Sequence, residues 1–352
     1  MNRHRLCVGL AVVALAGSAA LATGPANQRV PWNPGGLNST LDSVVHIRNA
    51  ITPGGFRIGS GSVVCKKIVG GDMWVGVLTA NHVARNGGRR NNQINFGDST
   101  GGYAGTFGFN SGVAGSSTWQ IQYPDNRIDM SYIAVNLGPN VAGAAQTLFN
   151  NLNPLSYMAF PTAGGMLDPD GVEITQVGYG LNGSWNGTNT AMVTSTPTFD
   201  GNKRFQNNSL LAATRDIDPN GTTGADTYDY NAVQFTMQAP AAAGFLRYEG
   251  ISYGGDSGSP YLVSSMVSDT TDWNVGNNNF ELFTDTIIAV HTLGDSNSTA
   301  GGNTPLGAYG AGVPLTAAHV AWLDRMCMIV PAPGGTLLFV GAGLFAARRR
   351  RG

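Results

Sequence analysis

Short apolar runs of strand length, each bounded by glycine-rich turns, recur along most of this sequence and set the strongest limit on its fold. Val44-Val45-His46-Ile47, Gly61-Ser62-Val63-Val64, Trp74-Val75-Gly76-Val77-Leu78 and Met130-Ser131-Tyr132-Ile133-Ala134-Val135 occur in the first half. Ile174-Thr175-Gln176-Val177-Gly178-Tyr179-Gly180, Tyr261-Leu262-Val263 and Thr286-Ile287-Ile288-Ala289-Val290 follow. Such runs are too short for most helices and suit strands. The 50 glycines supply the positive-φ positions that tight turns between strands require. Evenly spread short strands close into barrels or stack as sandwiches. There is no repeat of fixed period and no coiled-coil heptad. A hydrophobic content of 42% is enough to build a core, which excludes a disordered chain. Residues 138–156 are poor in strand signal and are expected to link two halves. Residues 181–230, rich in Asn, Gly, Thr and Asp, are expected to form long loops. One helix is expected from Thr316 to Met326, with Val320 and Leu323 on one face.

The two ends read as addresses. Residues 1–22 have the plan of a secretory signal peptide: basic Arg3, His4 and Arg5, the apolar run Leu6 to Ala16, and a small-x-small cleavage site at Ala20-Leu21-Ala22. At the other end, Pro331-Ala332-Pro333-Gly334 precedes the apolar stretch Thr336 to Ala347 and then Arg348 to Arg351. This order, over 330–352, resembles the PEP-CTERM sorting tail of Gram-negative bacteria, with Pro-Ala-Pro in place of the usual Pro-Glu-Pro. The resemblance implies transient membrane contact, processing by an exosortase, and a secreted or cell-surface location. A plain tail anchor is the alternative, although the stretch is shorter than the ~20 residues of a spanning helix. Six of the 20 Lys and Arg residues lie in these ends, so the body carries 14 against 21 Asp and Glu, a net charge of −7. That balance excludes a nucleic-acid partner, which needs a basic face. Cys7 goes with the leader, and Cys65 and Cys327 are free to pair in an oxidising compartment.

The chemistry converges on one serine. Ser257 lies in Gly255-Asp256-Ser257-Gly258-Ser259-Pro260, a sharp glycine turn. A serine needs a neighbouring base to become a nucleophile, and histidine titrates in the right range. Of five histidines, His4 leaves with the leader. His82 ends the apolar strand of Leu78-Thr79-Ala80-Asn81-His82-Val83, and Asp129 opens the run that follows. A buried carboxylate beside such a histidine fixes its tautomer and stabilises the imidazolium.

Thr-Ala-x-His, an Asp before a strand, and Gly-Asp-Ser-Gly-x-Pro, in that order, resemble the signature blocks of trypsin-like (chymotrypsin-fold) serine proteases. Val177-Gly178-Tyr179-Gly180 is similar to the strand opening that family's second barrel. Gly312-Val313-Pro314-Leu315-Thr316 through Trp322-Leu323 is similar to its closing helix. The resemblance covers about residues 40–326. It implies an all-β fold of two six-stranded antiparallel β-barrels with a C-terminal helix, the first barrel over 40–140 and the second with the helix over 141–326. It implies a serine endopeptidase acting on protein or peptide substrates, with no metal and no cofactor. Ser257 would attack the scissile carbonyl, His82 would shuttle the proton, Asp129 would orient His82, and the N–H groups of Gly255 and Ser257 would form the oxyanion hole.

Two segments imitate family features. Lys67-Ile68-Val69-Gly70-Gly71 copies a zymogen activation site, but only 14 residues separate Ile68 from His82, so it reads as strand and turn. Thr316-Ala317-Ala318-His319-Val320 copies the histidine block but follows Ser257, so His319 reads as a helix residue. His46 reads as structural. The specificity position six before the serine is Ile251, which argues against Lys or Arg preference. His291, with Thr292 in the strand expected to line the primary pocket, resembles the pocket histidine of bacterial glutamyl endopeptidases. That implies a preference for Glu or Asp before the cut; a merely packed histidine is the alternative. The competing class is a catalytically silent binding or matrix protein on the same fold, sorted to the cell surface. The complete His82, Asp129 and Ser257 set weighs against it.

Overall fold

The computed structural model describes residues 28–29, 41–51, 55–84, 92–99, 102–109, 118–180, 183–185, 191–194, 201–217, 228–236, 238, 255–264, 285–294, 303–305 and 308–328. The expected leader, the expected sorting tail and Ile251 lie outside these residues. Among the described residues, no helix is long and apolar enough to cross a membrane.

Two curled antiparallel sheets carry the fold, and a short helical turn, α1 (Asn81–Ala84), follows a strand of the first. The first contains β1 (Val44–Ile51), β2 (Gly55–Val69), β3 (Asp72–Thr79), β4 (Asn92–Asp98), β5 (Gly102–Phe109), β6 (Thr118–Gln122) and β7 (Ser131–Pro139). Its strand order is β5-β4-β1-β2-β3-β7-β6, and the two end strands touch, so the sheet closes on itself. The second has a ring of β8 (Glu173–Gly178), β9 (Arg204–Ser209), β10 (Tyr230–Thr236), β11 (Pro260–Ser264), β12 (Asp285–Gly294) and β13 (Tyr309–Pro314). Its order is β9-β8-β11-β12-β13-β10, and β9 and β10 meet again through Leu211 N–H donating to Gln234 O at 2.8 Å. This is the all-β, chymotrypsin-like double barrel. Its first sheet has seven strands rather than six. The second adds Gln28–Arg29 beside β9, Arg215–Ile217 beside β10 and Ser156–Tyr157 beside β12.

Local sequence explains these elements. β2 and β3 join through Gly70 (φ 62°) and Gly71 (φ 88°), two successive positive-φ residues that give a hairpin turn with the right twist. The activation-like segment is therefore strand and turn, as its position suggested. Met73, Trp74, Val75, Val77 and Leu78 on β3 are all buried with Ile133, Ala134 and Val135 on β7, and they form the first core. Phe160, Ile174, Val233, Phe235, Tyr261 and Ile288 form the second.

Of two expectations from composition, the link over 138–156 gains a helix, and the long loops over 181–230 are corrected. Residues 138–156 contain a helix, α2 (Ala144–Asn151), which buries Leu148 and Phe149. Its last carbonyls, Phe149 O at 2.9 Å and Leu152 O at 2.7 Å among them, accept from Lys66 Nζ. Within 181–230, Arg204–Ser209 is the ring strand β9. Its Gln206 and Asn208 are buried, so hydropathy cannot see it. A polar ladder holds it instead: Gln206 Nε2 donates to Gln176 Oε1 at 2.7 Å, and Gln176 Nε2 donates to Ser259 Oγ at 2.7 Å.

The closing helix, α3 (Ala317–Met328), buries His319, Trp322 and Leu323 toward the first barrel, while Val320 is only partly buried. Thr316 caps it, its Oγ1 accepting from His319 N–H at 3.3 Å, and His319 Nδ1 accepts from Thr316 N–H at 3.2 Å. Cys65 on β2 and Cys327 on α3 are joined as a disulfide, with Cα atoms 6.0 Å apart.

Candidate active site

The register of two first-barrel strands brings His82 and Asp129 together. Thr79 at the end of β3 pairs with Ser131 at the start of β7. His82 lies three residues beyond one strand end and Asp129 two before the other. Both therefore hang off the same edge of the barrel. His82 sits in the single turn Asn81–Ala84. Asp129, 2% exposed, holds it twice: Oδ1 accepts from the His82 backbone N–H at 2.9 Å, and Oδ2 lies 2.6 Å from Nδ1. The turn is braced further by Ser131 Oγ donating to Asn81 Oδ1 at 2.7 Å and by Asn49 Nδ2 donating to Val83 O. The side chain of His82 remains 34% exposed.

Ser257 comes from the second barrel, on the turn before β11. Its carbonyl accepts from Ser60 N–H on β2 at 2.7 Å, and Ser60 O accepts from Thr79 Oγ1 at 2.7 Å. A Cβ on Gly59 would stand 3.0 Å from Ser257 O and 2.5 Å from Val83 Cγ1. Gly59 is thus a seam, with the His82-Val83 turn on one side and Ser257 on the other.

The carbonyls of this turn are committed in series. Gly255 O accepts from Ser60 Oγ at 2.9 Å, Asp256 O from Ser259 N–H at 2.8 Å, and Ser257 O from Ser60 N–H. Gly258 N–H donates to His291 O at 2.7 Å, and His291 N–H to Ser259 O at 2.8 Å. The Asp256 carboxylate accepts from Gly180 N–H at 2.8 Å and faces a small cavity lined by Gln176, Arg204 and Gln206. Gly255 has φ 103°, open to glycine at little cost. Among the described residues, the N–H groups of Gly255 and Ser257 have no protein acceptor. Ser257 itself is half-buried.

Beneath the site, β12 brings His291 and Thr292. Both are almost fully buried, at 2% and 3%. His291 Nδ1 lies 2.8 Å from Tyr261 Oη, and Thr292 Oγ1 lies 2.7 Å from Tyr230 Oη. Burial, aided by the nearby His82, lowers the His291 pKa to about 3, so the ring is neutral at ordinary pH. Burial, and to a lesser degree Asp129, raises the Tyr230 hydroxyl well above its usual range. His46 on β1 is the cross-strand partner of Ser60 on β2. It is buried, stacked on Tyr179 with ring centroids 5.0 Å apart, and bonded through Nδ1 to Tyr103 Oη at 2.9 Å. His319 is held in the closing helix.

The structure thus gathers His82, Asp129, Gly255, Ser257, His291 and Thr292, and Ile251 lies outside the described residues. Sequence reasoning did not find Ser60, Tyr230 or Tyr261. Ser60 carried a readable signal, because Gly59-Ser60-Gly61 keeps a small polar residue within a strand run; the two tyrosines carried none.

No protein-family model and no curated protein matches the sequence. Among solved structures, the protease Anisep from Arthrobacter nicotinovorans is similar over 86% of this chain and 99% of its own, at 12% identity and TM-score 0.46. A thermostable serine protease, AL20, from an extremophilic microorganism is similar over 83% of this chain and 99% of its own, at 14% identity and TM-score 0.43. A scabies mite inactivated protease paralogue, S-I1, is similar over 84% of this chain and 98% of its own, at 14% identity and TM-score 0.42.

Proposed function

We propose that this chain is an exported serine endopeptidase that cleaves peptide bonds through an acyl-enzyme, with His82, Asp129 and Ser257 as its triad. The observation that carries the reading is the double clamp of a buried Asp129 on His82, on the edge where the Ser257 turn meets the first barrel. With Nδ1–H donated to Asp129, Nε2 carries the lone pair that acts as the base. It takes the Ser257 Oγ proton as the oxygen attacks the scissile carbonyl. The carbonyl oxygen becomes an oxyanion, received by the N–H groups of Gly255 and Ser257, each such donor being worth roughly 3 kcal/mol. His82 then returns the proton to the leaving amine. Water attacks the ester by the same route and frees Ser257.

His291 supports an acidic preference at the residue before the cut. With the Tyr261 hydroxyl donating to Nδ1, Nε2 carries the hydrogen, and a neutral donor in a buried site suits a substrate carboxylate. Export, and removal of the tail by an exosortase, rest on the sequence of the two ends.

The test is labelling by a serine-directed fluorophosphonate in the wild type and in Ser257→Ala. Labelling that disappears in the variant supports the protease. A correctly folded wild type that takes no label returns the chain to the silent binding or matrix class. A peptide-library profile without enrichment of Glu or Asp before the cut removes the acidic preference, and mass spectrometry finding Arg348–Arg351 intact on the mature protein removes tail processing.

A further inference from the structure

One buried hydroxyl of the first barrel reaches across to the turn that carries Ser257. Ser60 lies on β2 with no exposed surface. Its Oγ donates to Gly255 O at 2.9 Å and accepts from Tyr179 N–H at 3.0 Å. A hydroxyl has a single hydrogen, and here it is spent on Gly255. Three elements therefore share one oxygen: a first-barrel strand, the end of the first strand of the second barrel, and the oxyanion turn. We propose that Ser60 is a positioning residue that fixes the oxyanion turn in its reactive register. The inference rests on the protease reading and names a residue that reading does not need.

The reason is conformational. Gly255 has no Cβ, so the peptides on either side of it rotate at little steric cost. Its N–H must aim at the developing oxyanion, and the rotations about its Cα set that aim relative to the peptide that carries its carbonyl. Holding the carbonyl limits the rotation that would swing the N–H out of line. Asp256, the next residue, is held from the same direction, because its carboxylate accepts from Gly180 N–H at 2.8 Å. Successive N–H groups of Tyr179 and Gly180 thus secure the turn, the first through Ser60 and the second directly. Preorganised donors of this kind act without reorganisation during the reaction, so slack in the turn raises the barrier to chemistry and leaves ground-state binding alone.

The experiment compares the full-length wild type with Ser60→Ala, using a peptide substrate and a peptide aldehyde of the same sequence. Active sites are counted by fluorophosphonate titration. Per titrated site, kcat is expected to fall about 10- to 100-fold with KM within about twofold, less than the 10²–10³ seen when a donor itself is deleted. The aldehyde, which forms an oxyanion on binding, is expected to weaken in proportion. Ser60→Cys fills the same space with a poor donor. It should show the same split at smaller amplitude, and it stands in for Ser60→Ala should that variant fail to fold. Unchanged kcat per titrated site and unchanged aldehyde affinity would overturn the proposal while leaving the protease reading intact. A loss confined to the number of titrated sites would also overturn it, because that is a folding role. A wild type that no fluorophosphonate labels overturns the protease reading and this inference together.

Discussion

Gly258→Ala is the sharpest test of how tightly the Ser257 turn is seated. Gly258 has φ 86°, a conformation that costs an L-residue roughly 1–2 kcal/mol. The new methyl also has nowhere to go. A Cβ there would lie 2.1 Å from Ser60 O and 2.1 Å from Thr79 Oγ1. Neither neighbour can yield cheaply, since Thr79 Oγ1 donates to Ser60 O at 2.7 Å and Ser60 N–H donates to Ser257 O. Overpacking of this kind costs about 1–3 kcal/mol, and losing the Thr79 bond adds about 1 kcal/mol. The expected total is roughly 3–6 kcal/mol, a large part of the 5–15 kcal/mol that holds a typical domain folded. Urea unfolding followed by tryptophan fluorescence reads it directly, with the slope checked for two-state behaviour. If the turn yields before the barrels do, fluorophosphonate labelling should be lost at urea concentrations where the fluorescence is still native. A Gly258→Ala protein within 1 kcal/mol of wild type, labelling at the wild-type rate, would refute the packing described here.

Further outcomes follow from the same contacts. Asp129→Asn should keep the fold, since its amide oxygen can still accept from His82 N–H, but lower kcat/KM by about four orders of magnitude through the wrong tautomer; a loss below tenfold would deny Asp129 its role. Burial lowers His46 to about 4 and His291 to about 3 from 6.5, so both stay neutral in the folded chain and take protons in the unfolded one below pH 6.5. Their stabilisation is therefore present above pH 6.5 and lost as pH falls below it, by about 1.4 kcal/mol per unit for each; urea midpoints flat from pH 7 to 5 would contradict this, and His46→Gln should remove its share of the slope. Reducing the Cys65–Cys327 bond, which spans 262 residues, should cost up to about 5 kcal/mol by loop entropy, and an unchanged Tm after both thiols are freed would show that α3 holds without it.

The proposed triad could be read from the sequence because each candidate sits where a strand ends, and strand ends can be read from apolar runs. His82 follows Leu78-Thr79, Asp129 precedes Ser131, and Ser257 precedes Pro260. The double barrel was legible for the same reason, through β3, β7, β8 and β12. β9 was not. Arg204 to Ser209 has one apolar residue, Phe205, and its buried Gln206 and Asn208 look like loop composition until their partners are known. α2 was hidden because Ala144 to Asn151 is short and buries only two large side chains. Ser60, Tyr230 and Tyr261 act through partners tens to hundreds of residues away, and no local pattern encodes such distances.

The site belongs to the contact between the barrels more than to either barrel. Of the proposed triad, two members come from the first and one from the second, so their alignment depends on the docking. Among the described residues, contacts across it near the site include Ser60 to Ser257 and Gly255, Gly59 against Ser257 O, and Tyr179 Oη donating to Gly97 O at 2.6 Å. Farther off, Lys203 Nζ, with no exposed surface, donates to Leu41 O at 2.6 Å and lies 3.5 Å from Asp42 Oδ1. A buried cation that loses its acceptors is costly, typically 3–5 kcal/mol. That cost makes sliding of one barrel on the other unfavourable in all but the aligned position. The larger apolar core also runs across the contact, joining Val177, Tyr179, Phe205, Leu262, Ile287 and Val290 of the second barrel to the core residues of the first. Parting His82 from Ser257 therefore opens that core, so in urea the wild type should lose fluorophosphonate labelling and native tryptophan fluorescence together, and labelling lost well before fluorescence would refute the shared core.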